Sequence, residues 1–128
     1  MKIALDTNRY VDFCRGLPEV VSVIQQAQKI YIPHIVLGEL RAGFLSGKKS
    51  LHNERLLVRF LNSPRATILF ADENTTHHYA RLFTQLRKQG TPIPTNDIWL
   101  AALVLQHDLQ LFTRDKHFEH LPQLALVL

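Results

Sequence analysis

The sequence predicts an α/β fold: a mainly parallel central sheet of four to five strands, covered by helices on both faces in three layers. Three observations predict it. Short apolar runs of strand length alternate along the whole chain with longer stretches whose apolar residues recur at helical spacing. Turn and capping residues stand at the boundaries between them. The length of 128 residues suits one hydrophobic core and is too short for two ordinary domains, so residues 1–128 are read as a single domain.

The first strand is Lys2-Ile-Ala-Leu5, an apolar run that stops at the turn and capping residues Asp6-Thr7-Asn8. A short helix over Tyr10 to Cys14 is stopped by Gly16. From Pro18, the residues Val20, Val21, Val23, Ile24 and Ala27 recur as one face of an amphipathic helix. Ile30-Tyr31-Ile32 before Pro33 is the second strand, and Ile35 to Phe44 resumes a helical pattern that carries Glu39. The Gly43 to Ser50 region should break that helix before the next, from about Leu51 to Leu61, which ends at Ser63-Pro64.

Ala66 to Phe70 is the third strand, followed by Asp72 as the cap of a long helix with the stripe Tyr79, Leu82, Phe83, Leu86 and a stop at Gly90. After the proline-bearing loop Thr91 to Pro94, Asn96-Asp97 opens a helix with Ile98, Ala101, Ala102 and Leu105 at i, i+3, i+4, i+7. Leu109 to Thr113 is the fourth strand, ended by Arg114-Asp115, and Ala125 to Leu128 offers a fifth.

Composition narrows the function classes. Hydrophobic residues at 46% and charged residues at 20% are ordinary for a globular protein and exclude a fibrous or disordered chain. No stretch approaches the ~20 apolar residues of a membrane span, and the chain enters a strand at once without a charged-then-apolar leader. The expectation is a soluble cytoplasmic protein with no membrane partner. The single Cys14 cannot make an internal disulfide, which fits a reducing compartment, and it is expected to be a small core residue. A formal charge of +4 and a pI near 9.5 favour an anionic partner, nucleic acid being the commonest.

The chemistry lies in the acids. Asp6 and Asp115 directly follow strands, while Glu39 and Asp97 lie in or near the first turns of helices, and in an open α/β sheet these places converge on one edge. Two carboxylates brought to ~4 Å repel by about 4 kcal/mol at an effective dielectric of 20, so a cluster needs protons or a cation. All-oxygen ligands select Mg²⁺ or Mn²⁺, the ions of phosphodiester cleavage by an activated water. Taken singly, each acid has a plainer explanation: Asp6 or Asp97 as a helix cap, Asp115 as a turn residue, Glu39 as a solvated helix residue. Four such accidents at one end of a sheet are harder to accept than one site.

Four segments then carry a resemblance: Met1-Lys-Ile-Ala-Leu-Asp-Thr-Asn8, Ile35-Val-Leu-Gly-Glu-Leu40, Asn96-Asp-Ile-Trp-Leu-Ala-Ala102 and Leu111-Phe-Thr-Arg-Asp-Lys-His-Phe118. Their order and spacing resemble the PIN-domain motifs of VapC-type toxins over nearly the whole chain. The resemblance implies a PIN-like α/β/α fold and makes Asp6, Glu39, Asp97 and Asp115 the metal-binding catalytic set. It also implies that Thr7, Asn8, Asn96 and Thr113 hydrogen-bond the carboxylates or water, although helix capping explains them equally well. It further implies an Mg²⁺- or Mn²⁺-dependent endoribonuclease, often acting on tRNA or other structured RNA, a homodimer, and inhibition by a cognate VapB-type antitoxin.

Other features divide between plain and functional readings. Arg41, Lys48, Lys49, Arg55 and Arg59 form a basic stretch able to hold RNA phosphates, as are Arg81, Arg87, Lys88 and Arg114, but any one of them is better read as an ordinary solvated cation, and none is singled out as an RNA contact. The pair His117-x-x-His120 lacks the cysteines or second histidine pair of a zinc site, and His77-His78 reads as helix surface. Trp99 fits a core or dimer interface better than base stacking, and Phe44 with Leu45 suits either an antitoxin groove or this protein's own core. Alternatives to the toxin are a PIN nuclease of RNA processing without an antitoxin and a catalytically silent RNA-binding module. A haloacid-dehalogenase-like phosphatase is set aside, because Asn8 stands where its second aspartate would be.

Overall fold

The computed structural model describes residues 1–127, so the last residue of the expected fifth strand, Leu128, lies outside the described residues. The order of elements is β1 (Lys2–Leu5), α1 (Thr7–Cys14), α2 (Pro18–Gln26), β2 (Lys29–Pro33), α3 (His34–Ser46), α4 (Ser50–Leu61) and β3 (Ala66–Leu69). It continues with α5 (Glu73–Gln89), α6 (Thr95–Gln106), β4 (Gln110–Phe112), a short 3-10 turn (Lys116–His120) and β5 (Ala125–Leu126). The five strands form one sheet in the order β3-β2-β1-β4-β5, and every pairing is parallel.

Parallel neighbours require crossovers, and right-handed crossovers put α1 to α4 on one face and α5 with α6 on the other. The packing agrees: α1 contacts α2 and α3, α3 contacts α4, and α5 lies along α6. Because β1 is followed outward by β2 and β3 while β4 returns to its other side, the chain reverses direction between β1 and β4. That is the switch point at which open α/β sheets leave a crevice beyond the strand ends.

Burial explains which residues make each element. Ile3, Ala4 and Leu5 of β1 are fully buried, as the central strand of a two-sided sheet must be, and each larger side chain contributes about 1.5–3 kcal/mol. Helix α6 buries Leu100, Leu103 and Val104 as well as Ile98, Ala101 and Ala102, while Leu105 is half-buried, so it is enclosed on more sides than a single stripe predicts. Helix α5 begins with a capping box, Asp72 and Thr75 each satisfying the other's backbone N–H, and ends at Gly90 in the left-handed conformation, φ +73°.

Three local expectations are corrected. Helix α1 starts at Thr7 rather than Tyr10, because the Asp6 side chain already accepts the Thr7 N–H and ends the strand. The break expected between Gly43 and Ser50 falls at 47–49, but helix α3 runs past Phe44 to Ser46; Gly43 inside it costs about 1 kcal/mol, which buried Leu40 and the Arg41–Glu54 ion pair to α4 help to offset. Cys14 is exposed and is not a core residue: it shares a face with buried Tyr10 one turn earlier, but it is the last residue of α1, where the helix leaves the core.

Candidate metal centre at the switch point

Each of the acids singled out in the sequence is delivered by a different element. Asp6 follows β1 and caps α1; Glu39 stands in the second turn of α3; Asp97 lies in the first turn of α6; Asp115 follows β4 and caps the 3-10 turn. A single chain of hydrogen bonds joins all of them. The Thr7 hydroxyl donates to Glu39 Oε1 at 2.9 Å, and the Thr7 N–H donates to Asp6 Oδ1 at 2.7 Å. The Thr113 hydroxyl donates to Asp6 Oδ2 at 2.7 Å and accepts from the Asp115 N–H at 3.0 Å. His117 N–H donates to Asp115 Oδ1 at 2.9 Å, and its ring Nδ1 lies 3.0 Å from Asp97 Oδ2 and 3.2 Å from Asp115 Oδ1.

Asp6 is the centre of this chain and is 6% exposed. Burial pushes its carboxyl above the usual carboxylate range; the Thr113 and Thr7 hydrogen bonds oppose this, and the charges of Glu39 and Asp97 add to it. Asp97 is raised in the same way, first by burial and then by Asp115, with His117 opposing. The His117 imidazole is itself raised, chiefly by its hydrogen bond to Asp97. Both acceptors around Nδ1 are carboxylate oxygens, so Nδ1 carries the proton in this arrangement.

Of the supporting residues expected, Thr7 and Thr113 are integral links. Asn8 Nδ2 lies 3.4 Å from the Thr113 hydroxyl and 3.5 Å from Asp6 Oδ2, and Asn8 Oδ1 accepts the Arg114 N–H at 3.2 Å, which ties α1 to the end of β4. Asn96 is exposed and takes no part in this network among the described residues. The donor set suits a divalent ion: Asp97, Asp115 and His117 each offer one ligand atom, all within 4.8 Å of one another, beside a buried carboxylate with no cationic partner of its own.

Sequence reasoning missed two participants. His117 was weighed only with His120; the signal was the spacing Asp115-x-His117 after a strand, which closes an Asx turn and brings the ring back over the acids. Asp12 drew no attention in a helix that looked merely short. It is 3% exposed and gathers Arg9 Nη1 at 3.2 Å and Arg114 Nε at 3.0 Å. Burial pushes this carboxyl up, but Arg114 and Arg9 outweigh it and hold it below the usual range. The Arg9 guanidinium also lies 5.0 Å over the Phe112 ring.

Elsewhere the structure decides between open readings. Trp99 stacks on Tyr79 at 4.0 Å, joining α6 to α5 inside the protomer. Leu45 is 80% exposed and so is not part of this protein's core, whereas Phe44 packs against it. Arg41 is committed to Glu54 in a two-pronged pair and is not a free cation for RNA.

The comparisons with known proteins agree with this architecture. The family model described as PIN domain matches residues 3–124. Ribonuclease VapC4 of Mycobacterium tuberculosis is 29% identical over 73% of this chain and 72% of its own length. Toxin FitB of Neisseria gonorrhoeae is 33% identical over 88% of this chain and 87% of its own. Among solved structures, VapBC2 from Rickettsia felis, bound to a DNA fragment from its promoter, superposes with a TM-score of 0.87 at 29% identity over 99% of this chain and 98% of that one. The match over nearly the whole length, on the sheet order and helices described above, means that this chain belongs to the PIN domain family, in its VapC-type group.

Proposed function

We propose that the protein is a divalent-metal-dependent endoribonuclease and the toxin of a toxin–antitoxin pair. The observation that carries the reading is the hydrogen-bonded run Glu39–Thr7–Asp6–Thr113–Asp115–His117–Asp97, which gathers the acids at the sheet's switch point with Asp6 unneutralised at its centre. Asp6, Glu39, Asp97 and Asp115 are the residues to hold Mg²⁺ or Mn²⁺. When bound, such an ion supplies a strengthened water nucleophile and a counter-charge for the leaving oxygen.

The chain's own residues do the rest. Thr113 and the Thr7 N–H aim the two oxygens of Asp6 and limit its rotation. Thr7 restrains Glu39, which is otherwise a mobile side chain on an exposed face. Placement of the site at the sheet's switch point suits a polymer substrate, and the overall charge of +4 favours an anionic one such as RNA. A structured RNA such as tRNA is the substrate class we assign, with 3′-hydroxyl and 5′-phosphate products.

The ribonuclease and toxin names of the relatives support the same reading. So does the exposed apolar surface of Leu45 and Leu51 beside Phe44, which fits the apolar side of an antitoxin helix. The working form would be a homodimer in the cytoplasm; no helix among the described residues is long and apolar enough to cross a membrane.

The test is to incubate the purified chain with end-labelled tRNA and with an unstructured RNA, each with Mg²⁺, Mn²⁺ or EDTA, beside Asp6→Asn. Discrete cleavage that requires metal and Asp6 is expected, with a loss of about a thousandfold or more in the variant, since several kcal/mol of transition-state stabilisation are removed. Equal cleavage by Asp6→Asn in EDTA would sink the proposal.

A further inference from the structure

We infer that His117 is itself a ligand of the divalent ion, through Nδ1, so that the centre is a mixed nitrogen–oxygen site selective for Mn²⁺ over Mg²⁺. The inference rests on the metal-dependent reading above and adds to it a ligand of a different chemical kind.

The geometry is the first argument. An octahedral ion with arms of about 2.1 Å at right angles holds neighbouring donors about 3.0 Å apart. His117 Nδ1 lies 3.0 Å from Asp97 Oδ2 and 3.2 Å from Asp115 Oδ1, so the imidazole nitrogen already has the spacing of an adjacent corner to each carboxylate, and the donor atoms of the three residues lie within 4.8 Å of one another. A histidine that merely caps a carboxylate needs one such contact, and this ring is aimed between two.

The second argument is how the ring is held. The backbone N–H of His117 donates to Asp115 Oδ1, and the Asp115 N–H donates to the Thr113 hydroxyl, so the turn that aims Asp115 also aims the imidazole. Phe118, the next residue, is fully buried and anchors the 3-10 turn in the core. Little ordering of this turn therefore remains to be done when an ion enters. An entering ion would replace the Nδ1 proton, and the neutral imidazole then carries its proton on the other ring nitrogen, leaving the Nδ1 lone pair for the ion.

The third argument is selectivity. Imidazole nitrogen is a poor ligand for Mg²⁺, whose sites are built of oxygen, and an acceptable one for Mn²⁺ and the later divalent ions. Among the described residues, Asp97, Asp115 and His117 form the group of potential ligand side chains whose donor atoms lie within 4.8 Å of one another. This cluster among the described residues is therefore not an all-oxygen one.

The test uses the full chain loaded with one equivalent of Mn²⁺ and read by pulsed electron paramagnetic resonance. A ¹⁴N modulation of the Mn²⁺ signal is expected in the native protein, its replacement by the ¹⁵N pattern after histidine labelling, and its loss in His117→Ala and His117→Gln. Because His117 is half-exposed, both variants should fold and still bind Mn²⁺, about tenfold more weakly for His117→Ala. In competition, His117→Gln, which restores an oxygen donor, should need about tenfold less Mg²⁺ than the native protein to displace Mn²⁺. Tight Mn²⁺ binding without nitrogen modulation in the native protein would overturn the inference and leave the metal-dependent reading standing, with His117 then only positioning Asp97. Failure of the native protein to bind Mn²⁺ at all would overturn both.

Discussion

Asp6, at the N-cap of α1, and Asp12, in the second turn of the same helix, are both almost fully buried, and the protein treats them in opposite ways. Asp12 is given two guanidinium partners, Arg9 and Arg114, and its carboxyl is held low. Asp6 is given two hydrogen-bond donors and two acidic neighbours, and its carboxyl is pushed up. Arg114 and Asp115, adjacent in the chain, turn to opposite clusters: the arginine closes the neutralised one and the aspartate joins the crowded one. The difference teaches that the molecule can compensate a buried acid when compensation is wanted, and that at the switch point it leaves the charge for something to bind.

The largest expected effect tests that last step. At a hundred times its dissociation constant, a divalent ion that binds only the folded chain adds about 2.7 kcal/mol of stability, roughly 10 °C in a domain of this size. Mn²⁺ should raise the melting temperature of the native protein by that amount and leave Asp6→Asn unmoved. An equal response in the variant would erase the distinction between the two clusters.

Asp12→Asn comes next. Breaking a buried pair costs 3–5 kcal/mol, and because the Arg114 side chain is 54% exposed we expect about 2 kcal/mol, measured by urea unfolding. A loss under 0.5 kcal/mol would mean the salt bridges are idle.

Thr113→Val takes a donor from Asp6 and an acceptor from the Asp115 N–H in one step, and should cost about 1.5 kcal/mol. It should also weaken Mn²⁺ binding, whereas Asp12→Asn should leave each metal ligand in place and change that affinity far less. Comparable losses of affinity in the two variants would join clusters that the structure keeps separate.

The smallest effect is one of pH, and its sign separates the two acids. Asp6 and Asp97 have folded values above their unfolded ones, so in EDTA the folded state holds extra protons over that window and stability falls as pH rises from the ordinary carboxylate value through the raised ones. Asp12 behaves conversely: its contribution is present above the ordinary value and is lost as pH falls through the lowered one. In EDTA at neutral pH, Asp6→Asn should therefore be more stable than the native chain, as read by urea unfolding. A destabilised Asp6→Asn would mean that its hydrogen bonds outweigh its burial.

The sheet and its helices were legible because strands buried on both faces must be short apolar runs and amphipathic helices must repeat every three to four residues. Asp6 and Asp115 were legible for the same reason, as polar residues that end such runs. What could not be read was partnership. Arg114 pairs with Asp12 across 102 residues and His117 meets Asp97 across 20, distances at which no local pattern survives. The break between α3 and α4 was legible as the Gly43 to Ser50 region, but Gly43 itself is an exposed glycine inside the helix, so the end at Ser46 could not be placed to the residue. Cys14 misled because small size was taken for burial; it shares a face with buried Tyr10, but stands at the helix end before Arg15 and Gly16, where the core has already stopped.

The bond from Thr113 to Asp6 spans 107 positions, nearly the whole chain, and this bears on how the molecule comes into being. Strand β1 is made first and waits in the middle of the sheet for β4, one of the last strands to arrive. Contacts so distant in sequence form late and slowly, since the intervening loop entropy has to be overcome first. A chain that is still being synthesised, or one cut short before Gln110, can form its helices and strands β1 to β3 but lacks β4, Thr113 and Asp115, and so has no assembled carboxylate cluster. Completeness of the polypeptide is thus the first control on this centre, exercised before any partner protein can act.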